Sequence, residues 1–191
     1  MITKLQIGCG GNPREGWLNT DLEPVSEDVA QLDVTKPFPF PSNDFDFIFS
    51  EHLIEHVTYP EGVAMLKECY RVLRPGGTVR ISTPDLEFVL SLYSPVVSQH
   101  KYIEWATQLF IKDAPYAHPT FVINNFVRNW GHTFIYDEDV LADVLCNAGF
   151  SQIVRCELCK SQHQELRDLE NEKRLPAGYL AMETLTLEGT K

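Results

Sequence analysis

The sequence predicts an α/β fold built on a mostly parallel sheet, and three observations carry that prediction. Short apolar runs end repeatedly in turn residues or acids: Leu5-Gln6-Ile7 runs into Gly8-Cys9-Gly10-Gly11-Asn12, a second piece ends in Asp21, and Val29-Ala30-Gln31-Leu32 ends in Asp33. A longer run, Phe45-Asp46-Phe47-Ile48-Phe49-Ser50, is apolar nearly throughout, as a strand covered on both faces would be. From Thr58 the apolar spacing changes to a helical period, and another strand follows at 78–83. Strand, helix and strand over that length make a unit that crosses right-handed.

Composition bounds the rest. At 191 residues the chain fits one domain with a substantial core, read here as residues 1–191 with an inserted segment at about 86–130. Hydrophobic content of 43% and aromatic content of 11% exclude wholesale disorder. A net charge of −11 repels phosphate backbones and argues against a nucleic-acid partner. The chain starts close to its first strand, with no basic-then-apolar leader and no apolar run of membrane-spanning length, so a cytoplasmic protein without membrane contact is expected. Five cysteines without a leader point to reduced thiols. Cys156 and Cys159 form a lone C-x-x-C with no second pair, read as two ordinary thiols in or at the end of a strand.

The elements follow in order. The interval from Gly8 to Asp21 is short against the roughly 20 residues of a dinucleotide-binding unit. Pro13, Gly16 and Trp17 therefore mark a loop or a single helical turn there. Three prolines and a Ser-Asn-Asp cluster make 36–44 a loop. Thr58 and Glu61 form a capping box, with Val63, Leu66, Tyr70 and Leu73 on one stripe of the helix and Lys67, Glu68, Arg71 and Arg74 opposite. Pro75-Gly76-Gly77 stops it. Residues 86–90 and 102–111 have helical patterns, and 113–119 must be a loop. The aromatics of this insertion (Tyr93, Tyr102, Trp105, Phe110, Tyr116, Phe121, Phe126 and Trp130) suit either a lid over the strand ends or a satellite core or dimer face. Asp137 caps a helix that Gly149 ends. Strands close the chain at 151–158 and 180–187, the second alternating as an antiparallel strand does, while 161–175 is a helix or a loop.

Glycines after a strand let the backbone turn and approach a ligand closely, and a carboxylate at the end of the next strand can accept from two ribose hydroxyls. That makes the turn at 8–12, with its N–H groups facing the ligand, and Asp21 a candidate nucleoside site. Asp33 is a second acid beside it, with an Asx-type cap on the proline loop as its ordinary alternative.

Ile7-Gly8-Cys9-Gly10, Asp21, Asp33, the run from Phe45 into His52-Leu53-Ile54-Glu55-His56, and Tyr70-Arg71-Val72-Leu73-Arg74-Pro75-Gly76-Gly77 before Ile81-Ser82-Thr83-Pro84-Asp85 together resemble the class I S-adenosylmethionine-dependent methyltransferases, specifically the type 11-like group. The Arg-Val-Leu-Arg-Pro-Gly-Gly run is the most specific piece. Gly131-His132 with Asp137 to Phe150 resembles the group's late helix ending in Ala-Gly-Phe. The resemblance implies a Rossmann-like, mostly parallel seven-stranded sheet with an antiparallel edge strand and helices on both faces. It implies S-adenosyl-L-methionine as donor, S-adenosyl-L-homocysteine as product, and a small-molecule acceptor methylated on oxygen or nitrogen by a monomer or homodimer. The cofactor contacts it implies are Gln6, Gly8, Cys9, Gly10, Gly11, Asn12, Asp21 and Leu22, then Asp33 with Val34 near the adenine, and Ser50, Glu51 and His52 beside the methionine end. Gln6 stands where the family has an acid, and Asn12 where it has a third glycine.

Methyl transfer from a sulfonium is an in-line displacement, so the protein must mainly align and dry the reactants. A base is needed when the nucleophile arrives protonated. The candidates are His52, His56 and Asp85, with His118 or His132 if the insertion folds over. His52-Leu53-Ile54-Glu55-His56 also matches H-x-x-E-H of zinc peptidases, but it caps a strand beside a nucleoside site, and no metal ligands are expected. Two alternatives stay open. A degenerate member that binds the nucleoside, or nothing, as a scaffold is favoured by Gln6 and Asn12; a nicotinamide-dependent oxidoreductase is disfavoured by the short glycine-to-acid interval.

Overall fold

The computed structural model describes residues 3–94 and 96–191. Seven strands, β1 (Lys4–Ile7), β2 (Leu18–Asp21), β3 (Val29–Gln31), β4 (Phe45–Glu51), β5 (Leu73–Pro84), β6 (Ser151–Arg155) and β7 (Thr184–Thr190), form one sheet in the order β3-β2-β1-β4-β5-β7-β6. The first five run parallel, and β7 runs antiparallel to both its neighbours. The antiparallel strand expected at the edge thus lies one place in, because β6 pairs along its outer side.

One face of the sheet is apolar. Leu5, Ile7, Ile48, Val79, Ile81, Leu185 and Leu187 project into a core shared with α1 (Tyr59–Val72) and α5 (Glu138–Ala148). Each such side chain contributes about 1.5–3 kcal/mol on leaving water. Helix α1 starts as expected, with the Glu61 carboxylate accepting from the Thr58 N–H and hydroxyl at 2.8 and 2.6 Å. Its buried stripe is Met65, Leu66, Cys69 and Val72; Val63 and Tyr70 sit at the margin, where Tyr70 meets Phe150 edge-on at 5.2 Å. The helix ends before Pro75 because Leu73 is already paired with Phe45 in the sheet. Asp137 caps α5 by accepting from Val140 N–H, and Gly149 closes it in the left-handed conformation.

The opposite face is polar, and this changes what covers it. Helices were expected on both faces, yet α1 and α5 share one, and the other is covered by an irregular strap at 156–175 holding two short 3₁₀ turns (Gln164–Leu166 and Glu172–Arg174). Leu166 and Leu169 seal its apolar end against Phe49, Phe47 and Trp17. Beside them Arg80 is fully buried. Its guanidinium donates to Glu170 at 2.6 Å, to Glu188 at 2.7 Å and to the Lys160 carbonyl at 2.8 Å. Ser82 and the Cys159 N–H also donate to Glu170, each at 2.8 Å. A regular helix has its carbonyls bonded internally and could not offer one to a buried cation; an irregular strap can. Cys156 and Cys159 belong to this strap rather than to a strand, and all five cysteines are free thiols.

The link from β1 to β2 has no helix. Two buried amides replace one: Gln6 Nε2 donates to the Asn12 carbonyl at 3.2 Å, while the Arg14 N–H donates to Gln6 Oε1 at 3.1 Å and to Asn19 Oδ1 at 2.8 Å. Above the strand ends, α2 (Leu86–Ser91), α3 (Val97–Phe110) and α4 (Pro119–Arg128) bury Phe88, Val89, Tyr102, Ile103, Val122 and Phe126 as a satellite core. Helix α4 was not foreseen; Pro119 stands in its first turn and His118 caps it. Residues 180–183, expected in a strand, belong instead to the short helix α6 (Tyr179–Glu183) leading into β7. No helix among the described residues is long and apolar enough to cross a membrane.

Burial alone would raise the Glu170 carboxyl, but hydrogen bonds and charge from Arg80, with Ser82, hold it below the usual range. Its contribution to stability is therefore full above the ordinary carboxylate pKa and fades as pH falls through the lower folded value. Glu170→Gln should cost about 3 kcal/mol at pH 7, read from urea unfolding, because it strips a buried cation of one partner. The gap between variant and parent should narrow below about pH 4; a gap under about 1 kcal/mol at pH 7 would contradict this.

Candidate active site: two clefts joined at a histidine pair

Both clefts open at the carboxyl ends of the parallel strands, where α/β sheets bind ligands. The first, of about 360 Å³, is lined by Gly8 and Gly10, by Asp21 and Asp33, and by the apolar side chains of Leu22, Leu32 and Val34. Thr35, Leu53 and Val57 complete it, and His52 and His56 close its inner end. Of the expected cofactor contacts, the structure brings together Gly8, Gly10, Asp21, Leu22, Asp33, Val34 and His52.

Gly8 shows why the turn needs glycine. Its φ is +69°, and an added Cβ would lie 2.0 Å from Leu53 Cδ1. The N–H groups of the turn do not all face the cleft, as the sequence suggested. Gly8 and Cys9 donate to the Thr20 carbonyl at 2.8 and 3.0 Å, and Asn12 donates to the Cys9 carbonyl at 2.9 Å. Gly10 donates to Asp21 Oδ2 at 2.8 Å, and Glu23 N–H donates to Oδ1 at 3.1 Å. Asp21 is thereby fixed at the cleft mouth with lone pairs on both oxygens to spare. Asp33 Oδ1 accepts from the Thr35 hydroxyl at 2.6 Å and from its N–H at 2.9 Å, and these bonds hold its carboxyl below the usual range.

Other expected contacts lie elsewhere. Gln6 is buried beneath the loop it holds, and Cys9 is buried with its thiol pushed up by desolvation and by Asp21. Gly11 is exposed. Asn12 accepts from Asn171 Nδ2 at 3.1 Å and lines a separate polar cleft with Arg14 and 168–173. Glu51 accepts from the Asn171 N–H at 3.1 Å, so it too serves the strap. Ser50 is buried, with a hydroxyl that has no hydrogen-bond partner among the described residues.

The second cleft, of about 350 Å³, begins where the first ends, at His52 and His56. Phe110, Phe126 and Trp130 wall it, Tyr102 and Glu183 lie at its floor, and Arg174 stands at its rim. Tyr102 donates to Glu183, whose carboxyl is pushed up by burial despite that bond. Asp85, an expected catalytic group, is outside both clefts: it caps α2 through the Glu87 N–H at 2.9 Å and pairs with Arg155 at 3.0 Å. His118 is likewise spent, accepting from Thr120 N–H at the start of α4.

Glu55, which is not among the expected site residues, sits at the centre. It is fully buried, with Oε2 accepting from the Thr83 hydroxyl at 3.0 Å. Its Oε1 lies 3.3 Å from His52 Nδ1 and 3.9 Å from His56 Nε2. Burial would raise its carboxyl, but the contact with His52 and the charge of both histidines outweigh that and hold it low. Its backbone carbonyl accepts from Thr133 and Phe134 N–H at 2.7 and 3.2 Å, which lays 132–134 alongside and sets His132 edge-on to His56, ring centroids 5.0 Å apart. The signal for Glu55 was its place between two histidines three and one residues away; the signal for His132 was only its place after a glycine.

The sheet order, the inserted antiparallel strand and a nucleoside-sized cleft at the first glycine turn define the class I S-adenosylmethionine-dependent methyltransferase fold. Residues 5–81 match the family described as methyltransferase domain, and the sheet order is that of the class I methyltransferase fold. It is 31% identical over 122 residues to the ubiquinone/menaquinone biosynthesis C-methyltransferase UbiE of Neisseria gonorrhoeae, covering 54% of this chain and 46% of that protein. The chain thus spans less than half the length of this curated relative. A SAM-dependent methyltransferase from Archaeoglobus fulgidus superposes with a TM-score of 0.58 at 14% identity, over 100% of this chain and 86% of its own. Phosphoethanolamine N-methyltransferase 2 of Haemonchus contortus, solved with S-adenosylhomocysteine, gives 0.52 at 16% identity, over 100% of this chain and 49% of its own. These two solved structures share the fold.

Gly8→Ala should destabilise the chain by about 1–3 kcal/mol through the forced left-handed backbone and the clash with Leu53. In thermal unfolding, adding Leu53→Ala should restore part of that loss relative to the sum of the single variants. Strict additivity would place Leu53 away from the turn.

Proposed function

We propose that the chain transfers a methyl group from S-adenosylmethionine to a small-molecule acceptor through an oxygen or nitrogen. One observation carries this reading: two clefts of ligand size meet at a single wall, and both are lined by His52 and His56. A donor in the first cleft and an acceptor in the second would touch only there, as an in-line displacement requires.

In the donor cleft, Asp21 would accept from the ribose hydroxyls, and Asp33 with the Leu22, Leu32 and Val34 wall would hold the adenine. The methionine end would run toward His52. Gln6 has no part in this, since both ends of its amide are engaged by the loop. In the acceptor cleft the aromatic wall would exclude water, with α3 and α4 as the lid. His52 is the base best placed. Its Nδ1 lies 3.3 Å from the buried Glu55 carboxylate, whose charge would favour a proton on that nitrogen, and its Nε2 contacts the rotatable Thr184 hydroxyl at 3.2 Å. That nitrogen would take the acceptor's proton as the carbon–sulfur bond breaks and S-adenosylhomocysteine leaves. The curated relative's printed activity on carbon supports a second reading, in which His52 deprotonates a carbon acid.

Calorimetry should show one site per chain for S-adenosylmethionine and for S-adenosylhomocysteine. Asp21→Ala should weaken both by about tenfold or more, the worth of hydrogen bonds to a charged group. His52→Ala should leave affinity within about threefold while cutting methyl transfer to any acceptor found by labelled-methyl screening by about a hundredfold. Binding of neither compound would favour a scaffold instead.

A further inference from the structure

We propose that Glu55, His56 and His132 form a binding site for one divalent transition-metal ion in the wall of the acceptor cleft. One ligand atom from each lies within 4.8 Å of the other two. Two imidazoles and one carboxylate on one side of an open space are the donor set of three-ligand zinc and non-haem iron sites, in which the remaining positions take water or substrate. With two nitrogens among three donors, the set favours zinc, iron(II), cobalt or nickel over magnesium or calcium.

The site stands on more than proximity. Glu55 is fully buried, yet its Oε1 has no hydrogen-bond partner among the described residues. His52 Nδ1 is 3.3 Å away but misaligned for a hydrogen bond. A buried carboxylate oxygen left in that condition is costly, and a cation would satisfy it. Thr83 meanwhile holds the other oxygen, which orients the carboxylate.

His132 is oriented in the same manner. Its Nδ1 lies 2.6 Å from the Phe126 carbonyl, and because a carbonyl can only accept, that nitrogen must carry the proton. In the neutral ring Nε2 is then left with a free lone pair, the arrangement found where a metal-binding histidine donates its other N–H to a backbone oxygen. Consecutive left-handed residues, Trp130 at φ +58° and Gly131 at +80°, turn the chain so that this ring meets His56 edge-on. His56 Nε2 is 3.9 Å from Glu55 Oε1, whereas ligand atoms about 2.0–2.2 Å from one ion sit closer together, so binding would draw the three side chains inward. His56 has room to move, being 39% exposed. The expectation that the chain has no metal ligands meets this cluster, two of whose three members lie in the His52-Leu53-Ile54-Glu55-His56 run.

An ion here would leave His52 outside its ligand set. Its open positions would face the acceptor cleft, where it would bind an acceptor bearing an oxygen donor and ease loss of that group's proton. This last consequence rests on the methyl-transfer reading; the binding itself does not.

The test uses tag-free, chelator-treated protein titrated with zinc chloride by calorimetry and with cobalt(II) by visible absorption. One equivalent per chain is expected, with cobalt ligand-field bands. His132→Ala and His56→Ala should each weaken zinc binding by at least about tenfold, while His100→Ala, at an exposed site, should not. Circular dichroism of each variant, and S-adenosylhomocysteine binding of His132→Ala, which lies outside the donor cleft, show that the fold and that cleft persist. Failure to bind either ion would overturn the proposal, as would zinc binding that survives both cleft variants or falls with His100→Ala. None of these outcomes touches the methyl-transfer reading, which is measured by the nucleoside.

Discussion

A carboxylate taken wholly out of water costs several kcal/mol unless its surroundings answer its charge, and Glu55 is such a group. It is answered by histidines on both sides and by the Thr83 hydroxyl from the neighbouring strand. Its backbone carbonyl anchors 133–134, so the same residue ties the end of β4 to β5 and to the segment that delivers His132. Remove that charge and three elements lose their common point. The wall between the two clefts is made of what it holds: His52, His56 and the chain that stacks upon them.

Much of the frame could be read from residue order. The parallel strands announced themselves by apolar runs ending in Gly8, Asp21, Asp33 and His52, and the capping chemistry of Thr58, Glu61, Asp137 and Gly149 is local enough to be visible in sequence. The first cleft's lining was legible for the same reason, because its residues follow strand ends one after another. Gln6 was misread as a ligand-facing substitute for an acid. Its amide is needed because it must both donate and accept within a loop that lacks a helix, and a carboxylate can only accept. Asp85 was misread because a cap and an ion pair to Arg155, 70 positions away, look like any other strand-end acid in sequence.

The second cleft was not legible, and the reason is physical. Its parts come from distant stretches, with Tyr102, Phe126, Trp130 and Glu183 meeting only because α2, α3 and α4 share a small core above the strands. Nor did the sequence disclose the strap. Alternation in β5 and β7 puts Arg80, Ser82 and Glu188 on one face, and a polar face demands partners that no apolar helix stripe supplies. Glu170 meets that demand from a segment whose polar composition gave no period to read.

The central claim is that a sulfonium nucleoside lies along the glycine turn and points its methyl group at the histidine wall. A crystal structure of the chain soaked with S-adenosylhomocysteine tests this most directly. The account predicts ribose density within hydrogen-bond reach of Asp21, adenine beside Asp33 and Val34, and the sulfur at the boundary marked by His52 and His56. Nucleoside density seated in the polar cleft by Asn12 and Arg14, or directed away from that boundary, would contradict it.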